Sequence, residues 1–195
     1  MSHAATAHPT SMGLDNRKMA LWAFIGSECL LFGSLISTYL IYQERSVSGP
    51  TPGEILNIPV TSVSTFDLLM SSLWMVLALA AIQRGDLKWA KVWLFGVALG
   101  GLIFLGFQVY EFTSFVREGL TLQANLFGCT FFILTGTHGE HVMVGVLWML
   151  TLWVRALQGK LGPQHAMTVE IAGLYWHFVD VVWIAIFTLV YLLHK

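Results

Sequence analysis

Residues 170–187 decide the fold, and they read EIAGLYWHFVDVVWIAIF. His177 and Asp180 stand inside a run that is otherwise almost entirely apolar. An ionisable side chain deep in lipid is unfavourable, so it usually faces protein or water and marks a functional interior. The polar residues and one glycine are three or four positions apart, which places them on one helix face: Glu170, Gly173, His177 and Asp180. The opposite face suits lipid or a packed neighbour and carries Tyr175, Val179, Val182 and Trp183.

The composition indicates an integral membrane protein. Of the 195 residues, 56% are hydrophobic and 11% are charged, whereas about a quarter are charged in an ordinary soluble domain. A soluble fold of this length could not bury so much apolar surface. The formal net charge is −1, which gives no support to a nucleic-acid partner because such binding relies on a basic surface. Cys29 and Cys129 match no zinc or haem-attachment spacing.

Five apolar stretches reach the length of about 20 residues that a membrane-spanning helix needs. We therefore predict an all-α, polytopic membrane protein with five transmembrane helices in one bundle, at about residues 19–42, 63–83, 89–112, 126–154 and 168–193. Residues 1–17 are expected to form a flexible amino-terminal tail, and residues 18–195 one domain.

The basic residues predict the orientation of the helices. One side carries seven of them, Arg17, Lys18, Arg84, Lys88, Lys91, Arg155 and Lys160, and the other side carries three, Arg45, Arg117 and Lys195. Because basic residues are enriched in cytoplasmic loops, we expect a cytoplasmic amino terminus and a carboxyl terminus outside.

A lone carboxyl group, that of Glu28, stands within the first apolar stretch. It follows Lys18 by ten residues, which is about 15 Å along a helix and close to the middle of a hydrocarbon core about 30 Å thick. Two interpretations are open: Glu28 holds a proton, or it forms a polar tie between helices, as polar side chains do in membranes.

His138 and His141 stand three residues apart in the fourth stretch, so they share a helix face. Such a pair could bind metal or haem. However, haem takes axial ligands on opposite sides of its ring, and two neighbours on one face do not supply them. From the residues alone, structural hydrogen bonding is the favoured interpretation. The polar interior predicted at this point comprises Glu28, His138, His141, His177 and Asp180.

Four stretches of the chain resemble motifs of subunit III of the haem–copper respiratory oxidases. LWAFIGSE at residues 21–28 resembles the helix with the family's buried glutamate, and QVYEF at 108–112 resembles its Gln-x-x-Glu motif. FFILTGTHGEHV at 131–142 resembles the Thr-Gly-x-His-Gly-x-His-Val signature. Residues 170–183 resemble the closing helix almost throughout, so the resemblance runs from about Arg17 to the end.

The resemblance implies an accessory subunit with no catalytic centre, haem or copper of its own. It implies that haem and copper lie in partner subunits, that the chain flanks catalytic subunit I and other oxidase subunits, and that it binds structural phospholipid and supports proton uptake. The expected place is the plasma membrane of a bacterium, with membership of a larger respiratory supercomplex left open. Glu28, His141, His177 and Asp180 would then belong to a structural and lipid-facing polar network. Contacts to lipid or to a partner subunit are assigned to Glu111, Glu170, Trp176 and Trp183.

Two features depart from the family pattern. Many members have seven helices, with two more before the stretch that begins here, and the five-helix form is similar to the common bacterial type. Glu140 occupies a position that is usually apolar in the family, and nothing in the sequence accounts for it.

Several functions stay open on these residues. The electron donor of such an oxidase could be cytochrome c, which we expect, or quinol, and a nitric oxide reductase could use a similar subunit. A stand-alone proton channel or transporter is an alternative of another class, although the chain lacks the inverted repeat of many transporters. A membrane cytochrome with its own haem is a fourth possibility.

Overall fold

Five long helices make up the chain in the computed structural model, which describes residues 15–43, 45 and 58–193. In chain order they are α1 (Asn16–Tyr42), α2 (Ile58–Gln83), α3 (Leu87–Arg117), α4 (Leu126–Leu157) and α5 (Ala166–Ile186). A 3₁₀ turn, Pro163–His165, leads into α5, and a π-helical turn, Phe187–Leu192, continues it. All five are long and apolar enough to cross a membrane. The predicted all-α, five-helix membrane fold is confirmed.

Local chemistry explains where three of the helices begin and how one of the turns is made. The side chains of Asp15, Asp86 and Asn125 accept hydrogen bonds from backbone N–H groups in the first turns of α1, α3 and α4, which satisfies donors that a helix start leaves free. Gly85 has φ 77°, a conformation that favours glycine. It makes the turn between α2 and α3 short enough for the two helices to pack as an antiparallel hairpin.

Two helices, α2 and α3, exceed their predicted lengths the most. α2 begins at Ile58 and includes Pro59 in its first turn, where the missing N–H of proline leaves no hydrogen bond unmade. α3 continues through Arg117, because residues 113–117 contain no glycine or proline to end it. Of the predicted tail, residues 1–14 lie outside the described residues, and Asn16 and Arg17 are already helical.

The helices surround α5, the most deeply buried of the five. α2 packs most extensively against α3, α3 against α4, and α5 against both α2 and α4. α1 lies at the edge, mainly against α4 and α5. Its membrane-spanning window is only 17% buried within the chain, against 56% for α5, so most of the surface of α1 faces outward.

Glycines allow the closest approaches in this bundle. A Cβ atom added at Gly145 of α4 would lie 2.7 Å from Trp176 Cζ3, and one at Gly101 of α3 would overlap Trp176 and Val146. Gly139 of α4 lies against the side chain of Gln108 in the same way. The large Trp176 ring therefore fits between α3 and α4 because both helices lack a side chain there.

Candidate functional site: polar side chains between the helices

Glu28 and His141 form a pair that joins α1 to α4. The Oε2 atom of Glu28 lies 3.1 Å from Nε2 of His141. Both side chains are largely buried, with 14% and 18% of their surface exposed. The two residues are 113 positions apart in the chain, so the helix packing, and not local spacing, brings them together.

The hydrogen bonds of His141 define how this pair holds a proton. The other ring nitrogen, Nδ1, lies 2.8 Å from the carbonyl oxygen of Thr137. A carbonyl oxygen can only accept, so Nδ1 carries a hydrogen. Nε2 of a neutral ring then accepts from a protonated Glu28, or Nε2 of a charged ring donates to a carboxylate. Either arrangement has one proton between the two side chains and no net charge.

Tyr175 connects this pair to the central helix. Its hydroxyl group donates to the backbone carbonyl oxygen of His141 at 3.0 Å. The ring of Tyr175 also contacts Phe24 of α1, with ring centroids 6.3 Å apart. Three helices, α1, α4 and α5, are thus joined around His141.

His138 lies in a separate, aromatic environment. It is fully buried and stacks on Trp183 with ring centroids 4.9 Å apart, while Phe104 meets its edge at 5.8 Å. Neither ring nitrogen has a hydrogen-bond partner in the part of the chain that the structure describes. Although His138 and His141 both contact Phe32, only His141 meets a carboxyl group.

His177 and Asp180 belong to a different interface, between α5 and α2. Nδ1 of His177 lies 2.6 Å from the hydroxyl oxygen of Ser72. Asp180 lies beside the same Ser72, yet neither of its carboxyl oxygens meets a described residue at hydrogen-bond geometry. The five residues of the predicted polar interior are therefore divided among three places.

Trp176 and Trp183 point into the bundle. Their ring N–H groups donate to Ser71 and Thr65 of α2 at 3.0 and 2.9 Å. Their exposed fractions are 0% and 2%, so neither ring reaches lipid or another chain directly. This placement differs from the lipid or subunit contact assigned from sequence. The sequence left open whether the face of α5 with Trp183 meets lipid or a packed neighbour, and in the structure Trp183 meets packed neighbours.

Glu111 and Glu170 tie helices at opposite ends of the bundle. Glu111, only 5% exposed, accepts a hydrogen bond from the hydroxyl of Thr61 on α2, so it is not a solvated helix end. Glu170 of α5 accepts from Nζ of Lys18 on α1 at 2.6 Å. Each carboxyl group thus has its partner within the chain.

Most of the hydroxyl groups that α2 uses were not predicted from the sequence. Those that bond a side chain of another helix are Thr61, Thr65, Ser71 and Ser72. Their spacing of four, six and one places them along one broad side of the helix. A run of hydroxyl residues at helical spacing in an otherwise apolar segment was the signal that could have identified them.

The arrangement of these side chains is that of a membrane protein whose polar groups join its helices. In the part of the chain that the structure describes, no group of three or more His, Cys, Asp or Glu side chains could hold a metal ion. The ionisable groups instead pair across helix interfaces, as they do in a polytopic membrane protein whose polar groups hold the bundle together.

Comparison with known proteins identifies the family. The family described as cytochrome c oxidase subunit III matches residues 4–195, and the chain belongs to that family. The chain is 41% identical over 190 residues to cytochrome c oxidase subunit 3 of Bacillus sp. (strain PS3), covering 97% of this chain and 92% of the relative. It is 38% identical over 175 residues to quinol oxidase subunit 3 of Bacillus spizizenii, covering 90% and 86%. Cytochrome c oxidase subunit 3 of Alkalihalophilus pseudofirmus is 35% identical over 195 residues, with 98% and 95% covered.

Proposed function

We propose that the chain is the non-redox accessory subunit of a proton-pumping terminal oxidase in a bacterial plasma membrane. The observation that carries the proposal is the family match over residues 4–195. The geometry is consistent with it, because the half-buried ionisable side chains of Glu28, His141 and His177 bond to each other or to hydroxyl groups between helices. In this role the chain stabilises catalytic subunit I, and haem and copper lie in the partner subunits.

Two further parts of the role follow from particular features. Glu28 and His141 place a carboxyl and an imidazole group 3.1 Å apart, and both kinds of group can bind a proton, which supports a role near proton uptake. Large apolar side chains are exposed on α1 and α3, among them Leu30, Val109 and Tyr110, and these faces suit phospholipid. The basic flanks support a cytoplasmic amino terminus and an outside carboxyl terminus.

The electron donor is expected to be cytochrome c, with quinol as the second candidate. The chain is 41% identical to a cytochrome c oxidase subunit 3 and 38% identical to a quinol oxidase subunit 3. This small difference in identity favours cytochrome c only slightly. The donor site would lie on another subunit. A nitric oxide reductase remains the further alternative within this class of complexes.

Purification in mild detergent tests the proposal. A tag on this chain should recover a complex with a haem- and copper-containing catalytic subunit, and the complex should reduce oxygen with either reduced cytochrome c or quinol. The isolated chain should show no Soret absorption and no stoichiometric iron or copper. Recovery with a nitric oxide reductase, or alone with proton flux in liposomes, would contradict the proposal.

A further inference from the structure

Glu140 belongs to the family-like signature at residues 131–142, and the proposed function leaves it without a role. It is exposed on the outward side of α4, and it takes part in no hydrogen bond or ion pair within the part of the chain that the structure describes. It is fourteen residues from Leu126 and seventeen from Leu157, or about 21 and 26 Å along the helix. The carboxyl group therefore lies near the middle of the membrane.

A lateral groove opens beside Glu140 between α1 and α4. Its volume is about 360 Å³, and it is lined by Leu21, Phe24, Glu140, His141, Val144, Trp148 and Tyr175. From Glu140 to Trp148 it follows α4 for eight residues, or about 12 Å. The groove is therefore elongated along the helix, with apolar and aromatic walls and a carboxyl group at its mid-membrane end.

The backbone of α4 is also accessible next to Glu140. Gly136 lies one turn before it on the same side, and a Cβ atom added at Gly136 would meet nothing within 4 Å. A neighbouring helix could approach closely at such a position. At Gly139 and Gly145 of the same helix, by contrast, the space beside the backbone is filled by the side chains of Gln108 and Trp176.

We propose that this groove receives a membrane-spanning helix of a companion subunit whose basic side chain bonds to Glu140. The inference rests on the proposed function, since it requires a complex. A carboxyl group at this depth needs a charged or donor partner, and this chain supplies none in its described part. Phospholipid head groups begin about 15 Å from the membrane middle, too far away to bond Glu140, and acyl chains carry no donor. A helix running alongside α4 would cover the groove and can present an Arg, Lys or His side chain at mid-membrane depth.

Photo-crosslinking in the intact complex tests the position of the companion helix. A benzophenone amino acid is placed at Val144, inside the groove, and in a matched control at Val109, which is 66% exposed on α3. The expected result is a crosslink from position 144 to a companion subunit at a yield clearly above that from position 109. A product with quinone or lipid only, a dimer of this chain, or no companion product above the control would overturn the proposal.

Substitution of Glu140 tests the bond itself. Glu140→Leu should reduce the companion subunits retained through a detergent wash by about tenfold, because the partner's basic group would be buried without its counter-charge. Glu140→Gln keeps an acceptor and should retain more than Glu140→Leu. Glu118→Leu, which removes an exposed carboxyl group at the end of α3, serves as the control. If Glu140→Leu retains as much as the unaltered complex, Glu140 faces lipid and the proposal is wrong.

The two tests separate this inference from the proposed function. If the unaltered chain recovers no oxidase subunit at all, the proposed function itself fails. If it recovers the oxidase but position 144 gives no companion product and Glu140→Leu is without effect, only the groove assignment fails.

Discussion

At the scale of the residue, the pairing of Glu28 with His141 shows why individual polar groups matter in this bundle. His141 bonds Glu28 through Nε2 and the Thr137 carbonyl through Nδ1, while Tyr175 bonds its backbone. Each bond joins groups that would otherwise lie unpaired at membrane depth, where no water replaces a lost partner. Removing both members should therefore cost less than the sum of the two single removals.

A double-mutant cycle on this pair tests that reasoning. Glu28→Leu and His141→Leu should each lower the free energy of unfolding by about 1–3 kcal/mol, since each leaves the other group without its partner. The double variant should be destabilised by less than the sum, with a coupling of about 0.5–3 kcal/mol. Thermal unfolding in detergent measures it, with Ser27→Ala on the exposed side of α1 as the control. Strict additivity would mean that the two side chains do not interact.

The hydroxyl group of Ser72 provides a second test at this scale. Ser72→Ala removes the partner of His177 Nδ1 and should lower stability by about 1 kcal/mol or more. Ser34→Ala on α1 is the matched control, because its hydroxyl bonds only the carbonyl of Leu31 and is exposed. Equal melting temperatures for both variants would show that the bond to His177 contributes nothing.

At the scale of the element, the positions of helices depend on where side chains are absent as much as on where they are present. Trp176 of α5 fills the space over Gly101 of α3 and Gly145 of α4, and its N–H group bonds Ser71 of α2. One side chain thus contacts three helices. α1 lacks such an anchor and depends on Phe32, Tyr39 and the polar contacts at its two faces.

Glycine-to-alanine substitutions separate these close contacts from open positions. Gly145→Ala would place Cβ 2.7 Å from the Trp176 ring, and such overpacking is expected to destabilise the fold by about 1–3 kcal/mol. Gly106→Ala on α3 meets nothing within 4 Å and should be neutral or stabilising by up to about 1 kcal/mol. Resistance to proteolysis and thermal unfolding report the difference. A destabilised Gly106→Ala with an unchanged Gly145→Ala would contradict the packing described here.

The ion pair between Lys18 and Glu170 joins the first turn of α1 to the first turns of α5. Both groups are about a third exposed, so solvent screens the pair and its contribution to stability is below about 1 kcal/mol. Lys18→Glu should loosen α1, seen as faster proteolysis near residue 18, and Lys18→Glu with Glu170→Lys should restore protection. The effect should be smaller at high salt. If the rate of proteolysis near residue 18 changes neither on charge reversal nor with salt, the ion pair does not hold α1 to α5.

At the scale of the whole molecule, the described helices form a bundle whose ionisable groups are shared among several interfaces. Glu28 and His141 hold α1 to α4, Ser72 and His177 hold α2 to α5, and Thr61 and Glu111 hold α2 to α3. Among the described helices, no interface gathers these groups into one cavity. Such a distribution suits a subunit that gives shape and durability to a complex.

Assembly should therefore be more sensitive than chemistry to changes in these groups. Replacing His177 or Asp180 by Leu is expected to lower the amount of complete oxidase recovered, while the oxygen-reduction rate per assembled complex stays close to normal. The ratio of this chain to haem after purification measures assembly, and oxygen uptake measures chemistry. A variant that assembles fully but loses its rate at once would contradict the supporting role.

Much of the architecture could be predicted from sequence because lipid imposes a simple rule. A run of about 20 apolar residues has to be a helix there, since its backbone must satisfy its own hydrogen bonds. The helix ends were less predictable. The predicted second helix begins at residue 63, but α2 already begins at Ile58 with Pro59 in its first turn, and the polar residues after Phe112 still belong to α3.

The candidate site was predictable as a set of residues and not as a set of bonds. Spacing within one helix singled out Glu28, His141, His177 and Asp180. It could not distinguish His138, stacked on Trp183 in an apolar site, from His141, bonded to Glu28. Nor could it place Trp176 and Trp183 inside the bundle, since a helical face is apolar whether lipid or another helix covers it.

The amino-acid sequence is sufficient to predict a five-helix membrane protein, and its motifs resemble those of an oxidase subunit family. Which polar groups meet depends on the packed bundle, because each helix takes its rotation about its own axis from the side chains packed between it and its neighbours. That rotation turned Trp176 inward onto Gly145, brought Glu28 to His141, and left Glu140 facing outward.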